Sequence, residues 1–165
     1  MDTEKEISPT ALTEDERQNM RYSIVDYGTY SSDHSRLLVY NEDPDSDYAL
    51  SVYYILDGTE VICDDACTCC DYIKEFVLPD GVKYIGESAF ARNYELMNMK
   101  IPKSVVSIGK YAFEGCKSIY DITIPPLVSN ISEGLLAWCG SLHEVTIEGT
   151  ITSIGCLAFA GSELR

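Results

Sequence analysis

Apolar residues recur at fixed intervals over the last two thirds of the chain. The segment IPKSVVSIGKYAFEGCKSIYDIT, which starts at Ile101, aligns without insertions with segments 23 residues before and after it. The first, eighth, nineteenth and twenty-second positions of this repeat are apolar in nearly every copy. A fixed period of this length is typical of solenoids, in which each copy stacks on its neighbours and shares one continuous core.

The period divides the chain into two parts. Residues 1–54 hold no copy and are predicted to form an acidic N-terminal segment and cap. Residues 55–165 hold five repeats, at 55–77, 78–100, 101–123, 124–146 and an incomplete 147–165.

The end of each repeat predicts one short β-strand, because apolar residues alternate there with other residues. These strands are expected near residues 73–78, 96–101, 119–124 and 142–147. A proline follows the strand in three copies and is expected to end it, at Pro79, Pro102 and Pro125.

Two further positions of the repeat predict local structure. An Ala-Phe pair recurs in three copies, and its rings are expected to stack as an aromatic spine inside the coil. Gly86, Gly109 and Gly155 follow the isoleucine of the eighth position, where we expect a tight bend with positive φ.

The N-terminal segment predicts a short helix and a small β-cap. Thr13, followed by three acidic residues, is typical of a helix N-cap, so a helix is expected near residues 14–21. The strings RYSIVDY, RLLVY and ALSVYYIL predict strands. Between them, NEDPDSDY resembles the start of a calcium loop, but Tyr48 and Tyr54 occupy the positions of the required Gly and Glu. An acidic, solvated turn is the favoured interpretation.

Charge and hydropathy exclude several classes of function. The net charge of −15 opposes binding to nucleic acid or to anionic membrane surfaces. No stretch is apolar enough to predict a membrane span, and the N-terminus lacks the pattern of a signal peptide. If Met1 is the native start, these features predict a cytoplasmic protein.

The cysteines allow three interpretations. Cys70, Cys116 and Cys139 all occupy the sixteenth position of the repeat, where a buried thiol beside a turn is expected. Cys63, Cys67, Cys69 and Cys70 lie within eight residues, so a zinc site or an oxidised pair stays possible there beside free thiols. Free thiols are favoured, because some of the four side chains are expected to point inward. No cofactor is predicted.

The side chains that point outward from the predicted strands form the best candidate for a binding surface. The chain has two histidines in separate regions, and no catalytic triad is indicated by their spacing. Repeat proteins commonly bind partners on such a ladder of strand residues. The candidate partner-binding face consists of Glu75, Val77, Asn98, Lys100, Asp121, Thr123, Glu144 and Thr146. Tyr72, Tyr94, Tyr120 and Trp138 lie nearby and are expected either to anchor an interface or to pack between neighbouring turns.

The repeat resembles the BspA-type leucine-rich repeat, whose pattern is close to I-P-x-x-V-x-x-I-G-x-x-A-F-x-G-C-x-x-L-x-x-I-x. Residues 101–123 match nearly every position, whereas residues 55–77 match only the apolar frame. The resemblance implies a right-handed, curved leucine-rich-repeat solenoid, mostly β with short helical or irregular turns, and a secreted or surface location. It also implies a non-enzymatic role in adhesion or recognition of a host or bacterial surface protein, with no cofactor.

Two alternatives to recognition stay open. The incomplete last repeat could stack on a second copy, giving a homo-oligomer with a structural role. Less favoured is a carboxylate-dependent hydrolase, for which Glu75, Asp121 and Glu144 would supply the acidic groups.

Overall fold

The computed structural model describes residues 8–18, 23–25, 27–40 and 51–165. The calcium-like string NEDPDSDY lies outside the described residues. The described elements are α1 (Glu14–Gln18), β1 (Ser23–Val25), β2 (Gly28–Tyr30), β3 (Arg36–Tyr40), β4 (Val52–Tyr54), β5 (Val61–Ile62), β6 (Glu75–Val77), β7 (Tyr84–Ile85), β8 (Asn98–Met99), β9 (Ser107–Ile108), β10 (Asp121–Ile124), β11 (Asn130–Ile131), β12 (Glu144–Ile147) and β13 (Ser153–Ile154). The repeats form a mostly β solenoid, as predicted.

The predicted strand at the end of each repeat is present. We call β4, β6, β8, β10 and β12 the front strands. They pair in parallel, with β4, β6 and β8 in one sheet and β10 and β12 in another. Within each of these sheets, a residue pairs with the residue 23 positions later, as Asp121 does with Glu144. This register places equivalent side chains of successive repeats in one column.

A second strand in each repeat was not predicted. We call these strands, β5, β7, β9, β11 and β13, together with β3 of the N-terminal segment, which RLLVY predicted, the back strands. β3, β5, β7 and β9 pair in parallel in one sheet, which antiparallel β1 and β2 extend beside β3, and β11 and β13 pair in parallel in another. Within the repeats each back strand is only two residues long. A stretch this short shows no alternation of apolar and polar residues, so the sequence pattern could not reveal it.

A third set of hydrogen bonds joins the turns that follow the back strands. The N–H groups of Phe90, Phe113 and Leu136 donate to carbonyl oxygens of Ala112, Leu135 and Ala158 in the next repeat. We call this set the turn ladder. The turns need positive φ at the eleventh and fifteenth positions, found at Asp65, Cys69, Ser88, Arg92, Tyr111, Gly115, Gly134, Trp138, Leu157 and Gly161.

Glycine occupies the ninth position of the repeat for a different physical reason from the predicted one. Positive φ occurs at Gly58, Gly115, Gly134 and Gly161 among the described glycines, so the expectation of a left-handed bend at Gly86, Gly109 and Gly155 is wrong. Instead, a Cβ at Gly109 would lie 2.5 Å from the Glu87 nitrogen, and one at Gly155 would lie 2.4 Å from the Glu133 nitrogen. The backbone of the preceding repeat therefore leaves no room for a side chain.

The core contains part of the predicted aromatic spine, because Leu136 occupies the Phe position between Phe113 and Phe159. Phe90 and Phe113 stack with ring centroids 5.6 Å apart, and Phe76 lies 5.0 Å from Phe90. Tyr53 and Tyr40 continue the series toward the N-terminus. Fully buried isoleucine, leucine and valine side chains of successive repeats surround these rings, so the core runs without interruption along the coil.

The N-terminal segment is tied to the first turns of the coil. The Thr13 hydroxyl accepts a hydrogen bond from the Glu16 N–H, which confirms the predicted N-cap. Arg36 at the start of β3 donates to the Glu16 carboxylate at 2.7 Å and to the carbonyl oxygens of Pro9 and Ala11. The division between residues 54 and 55 stays a prediction, and β3 and β4 already pair with strands of the first repeat.

Candidate recognition surface

The structure arranges the eight predicted face residues in two columns. Glu75, Asn98, Asp121 and Glu144 follow one another on β6, β8, β10 and β12. Val77, Lys100, Thr123 and Thr146 lie on or directly after the same strands. Glu75 and Val77 are half-buried, and the other six are exposed.

A groove of about 660 Å³ lies across this face. Its lining includes five of the predicted residues, namely Glu75, Asn98, Lys100, Asp121 and Thr123. Val77, Glu144 and Thr146 lie outside the lining. Sequence reasoning missed further lining residues at Asp80, Met97, Met99, Ile101, Pro102, Lys103, Ser104 and Glu148. Most of these follow the strand rather than belong to it, and strand alternation gives no signal for them.

The groove has an apolar floor and an exposed apolar rim. Met99 and Ile101 are 6% and 7% exposed, so they form its base. Met97, at the rim, is 53% exposed. An unbranched thioether side chain adapts its shape to whatever contacts it, which makes methionine common at recognition surfaces.

Charged groups surround this floor. Lys103 and Glu148 form an ion pair at 3.4 Å. Among the described residues, Glu75, Asp80 and Asp121 have no ion-pair partner within the salt-bridge distance. Four carboxylates and two lysines line the groove, which gives it a formal charge of −2.

The groove lies where the front strands are interrupted. The Lys74 carbonyl accepts hydrogen bonds from the N–H groups of Met97 and Asn98, and the Tyr120 carbonyl is bonded in the same way in a later repeat. In the fully described stretch 51–165, the equivalent bonds to the Met97 carbonyl are absent, and β8 does not pair with β10. We call the interface between the turn that carries β8 and β9 and the turn that carries β10 and β11 the seam.

The back strands are interrupted at the same seam. The pairing of β9 with β11 is absent within the described stretch 51–165, and the Ile108 carbonyl accepts instead from the Ser132 hydroxyl. Ser132 occupies the ninth position, where three other repeats have glycine. In those three repeats a Cβ at this position would overlap the preceding backbone. Cys63 carries a side chain at the ninth position of the first repeat and still donates its N–H to the Leu37 carbonyl at 2.9 Å, so the serine accompanies the separation without being sufficient for it.

The turn ladder stays intact across the seam. Tyr111, Phe113 and Gly115 donate their N–H groups to the next turn at distances of 2.9, 3.0 and 2.8 Å. Lys110 and Tyr111 also bind the Glu133 carboxylate, at 2.9 and 2.7 Å. Because one side of the coil holds while the other two separate, the front strands open at the seam and the groove forms there.

Several aromatic side chains lie beside the front strands. Lys117 lies over the Tyr94 ring, 4.6 Å from its centroid, and Tyr120 stacks on His143 at 4.8 Å. Tyr72 and Trp138 are exposed, and the ring of Trp138 would overlap any Cβ added at Gly161. The aromatic residues therefore pack between neighbouring turns and still present exposed rings.

All seven cysteines are free thiols, as the sequence favoured. Burial raises the pKa of Cys63 and Cys139 to about 12, and it raises the pKa of Cys67 and Cys116 well above the ordinary value. Cys69 and Cys156 are exposed. Within the described ranges, no three His, Cys, Asp or Glu side chains are grouped closely enough to hold a metal ion.

A helix long and apolar enough to cross a membrane is absent from the described part of the chain.

The parallel strands, the stacked turns and the shared core define a leucine-rich-repeat solenoid. The sequence profile of the BspA-type leucine-rich repeat region matches residues 51–165 in six copies. The chain belongs to the BspA-type leucine-rich-repeat family. Proteins of this family are generally interaction or surface proteins of bacteria, without enzymatic activity.

Solved structures of bacterial leucine-rich-repeat proteins share the fold. The pneumococcal vaccine antigen PcpA superposes with a TM-score of 0.70 at 22% identity, over 87% of this chain and 37% of that one. A leucine-rich cell surface protein from Faecalibacterium prausnitzii gives 0.63 at 23% identity, over 78% of this chain and 40% of that one. A leucine-rich-repeat protein from Eubacterium ventriosum gives 0.65 at 18% identity, over 87% and 50%.

The chain therefore spans half or less of the length of these three structures. Among proteins with curated descriptions, none has a significant sequence match to it.

Proposed function

We propose that the chain is a non-enzymatic recognition module that binds a protein partner across its front strands. The observation that carries this proposal is the groove, because five of the eight predicted face residues line it. Exposed Tyr94 and Tyr120 lie beside the front strands and add the type of side chain that anchors protein interfaces.

A surface protein of a host or of another bacterium is the expected partner. The two structural relatives described as a vaccine antigen and a cell surface protein support this partner class. Export to the cell surface belongs to the same proposal.

A display library of random peptides tests the proposed surface, because it needs no identified partner. Binders are selected on the unmodified chain and then measured on two triple variants. One carries Glu75→Lys, Asp121→Lys and Glu144→Lys on the front strands. The control carries Asp57→Lys, Glu87→Lys and Glu95→Lys, which make the same charge change at exposed positions away from the groove lining.

We expect the selected binders to lose affinity for the front variant and to keep it for the control. Equal binding to both variants would place recognition elsewhere on the coil. Circular dichroism of the two variants checks that both keep the fold.

Self-association is a second candidate, supported by apolar side chains on the last described turn. Ile147, Ile154 and Leu157 are 42%, 61% and 64% exposed, although their counterparts one repeat earlier are buried or are glycine. Light scattering over a range of concentrations tests this candidate. A mass that rises with concentration and falls again in Ile154→Lys would support it, whereas a constant monomer mass would reject it.

A further inference from the structure

We propose that the groove binds a basic segment of the partner, one in which arginine or lysine residues accompany an aliphatic side chain. This inference rests on the proposed function and specifies the chemistry of the partner. It follows from the hydrogen-bond acceptors, the apolar floor and the charge of the groove.

The groove offers more acceptors than donors for a partner to bind. The carboxylates of Glu75, Asp80 and Asp121 have no ion-pair partner in the described part of the chain. The Met97 carbonyl lacks the two backbone bonds that the Lys74 carbonyl receives one repeat earlier. Guanidinium and ammonium groups are donors without acceptor atoms, so they complement such a site better than any other side chain.

The interruption at the seam explains why these acceptors are available. In the intact interfaces, the carbonyl at the twentieth position is occupied by two N–H groups of the next turn. At the seam these backbone bonds are absent. Met97 and Asp121 line the groove there instead of belonging to paired strands. The opening thus creates the space and exposes the acceptors at the same place.

The apolar part of the groove calls for an aliphatic group in the same segment. Met97 is exposed at the rim, and Met99 and Ile101 form the floor below it. A purely cationic partner would leave this surface in contact with water, whereas a leucine or isoleucine side chain would bury it. The hydrocarbon stem of an arginine or lysine side chain can add to the same contact.

The two lysine side chains in the lining do not reverse the preference of the groove for a basic segment. Lys103 is neutralised by its ion pair with Glu148. Lys100 is the remaining cation, against the three carboxylates of Glu75, Asp80 and Asp121. The net charge of −15 over the whole chain also attracts basic segments and raises their association rate.

Two labelled peptides and three variants test the proposal by fluorescence polarisation. The basic peptide alternates arginine and leucine over about 12 residues, and the acidic peptide has glutamate in place of each arginine, following the charge rule for steering. The groove variant is Glu75→Gln with Asp121→Asn. The control variant, Asp57→Asn with Glu87→Gln, removes the same charge outside the groove lining. The third variant, Met97→Gln, changes the apolar rim alone.

The basic peptide should bind the unmodified chain and lose about 10-fold or more in affinity for the groove variant. It should bind the control variant within about 2-fold of the unmodified chain, because exposed charges away from the contact add little. Met97→Gln should weaken binding, and the acidic peptide should not compete.

Equal losses in the groove and control variants would overturn the proposal, because they would show a diffuse attraction to the acidic surface. Tighter binding of the acidic peptide would overturn it as well. If the library-selected binders still need the front strands but carry no basic residues, the recognition proposal stands and this inference alone fails.

Discussion

The sixteenth position of the repeat holds different residues that share a hydrogen-bond donor. The thiols of Cys116 and Cys139 donate to the carbonyl oxygens of Phe90 and Phe113, 26 residues earlier. The Asn93 amide and the Ser162 hydroxyl make the equivalent bonds to Cys67 and Leu136. The position therefore selects a small donor, and its cysteines need no redox role to explain them.

Substitutions at Cys139 separate this hydrogen bond from packing. Cys139→Ser keeps a donor of similar size, whereas Cys139→Val keeps the volume and removes the donor. We expect the valine variant to be less stable than the serine variant by about 1 kcal/mol, because the Phe113 carbonyl loses a partner. Urea denaturation measures both, and a valine variant as stable as the serine variant would show that size alone matters.

The thiols also predict a pattern of chemical reactivity. Cys69 and Cys156 are exposed, whereas burial raises the pKa of Cys63, Cys67, Cys116 and Cys139 and Cys70 is buried. A thiol-specific reagent at pH 8 should therefore modify two thiols rapidly in the folded chain. The double variant Cys69→Ser, Cys156→Ser should react only after unfolding. Rapid modification of that variant would mean that the coil opens around its buried cysteines.

The burial of cysteines at the sixteenth position was predictable from the sequence, but their bonding was not. The repeat period placed Cys116 and Cys139 beside a turn and next to the core. Each thiol contacts a carbonyl 26 residues earlier, three residues more than the repeat period. This offset is set by the folded backbone and cannot be read from the period.

Among the elements, the seam is the departure from an otherwise regular coil. Gly86, Gly109 and Gly155 donate their backbone N–H groups to the isoleucine carbonyls of the preceding repeat at 2.9, 2.8 and 2.7 Å. Ser132 bonds Ile108 through its hydroxyl instead. At the seam a side-chain hydrogen bond thus takes the place of the backbone bond that the three glycines make.

Amide hydrogen exchange tests this explanation. The N–H of Ser132 should exchange faster than those of the three glycines, because backbone bonding slows exchange. Ser132→Gly should slow exchange at that position, and the control Ser132→Ala, which keeps the Cβ, should not. Slow exchange at Ser132 in the unmodified chain would contradict the assignment of the seam.

The carboxylate of Glu133 ties the two turns together across the seam. Its hydrogen bonds to Lys110 and then to Tyr111 lower its pKa below the ordinary value. The stabilising contribution is therefore present above the ordinary glutamate pKa and is lost as the pH falls through the lowered one. Carboxyl NMR titration should give a higher midpoint in Tyr111→Phe than in the unmodified chain. An unchanged titration midpoint would show that the Tyr111 hydroxyl does not stabilise the Glu133 carboxylate.

The sequence predicted the front strands and missed the back strands of the repeats, β5, β7, β9, β11 and β13, and the difference is physical. A front strand such as Asp121–Ile124 shows alternating burial that the apolar pattern records. A back strand such as Ser107–Ile108 offers two residues and no alternation. The ninth-position glycines were recognised as structural, but the reason for them is the approach of a neighbouring turn, which a single repeat does not contain.

At the scale of the whole molecule, the front strands form two sheets on the same side of the coil, and the seam lies between them. The eight face residues were predicted from their common repeat positions, and the register pairs Glu75 with Asn98 and Asp121 with Glu144 on either side of the seam. The groove could not be predicted, because it needs the seam, and the repeat pattern does not record which neighbouring turns lose their strand pairing. Recognition is thus proposed at the point where the repeat is least regular.

Photo-crosslinking from matched front and back positions tests the recognition surface most directly. Thr123 on β10 and Ser107 on β9 are both exposed strand residues, and only Thr123 lines the groove. A photoreactive phenylalanine analogue placed at either position is irradiated with a peptide selected on the unmodified chain. We expect crosslinking from position 123 and little from position 107. Stronger crosslinking from position 107 would contradict recognition by the front strands, because the bound peptide would then lie on the back strands.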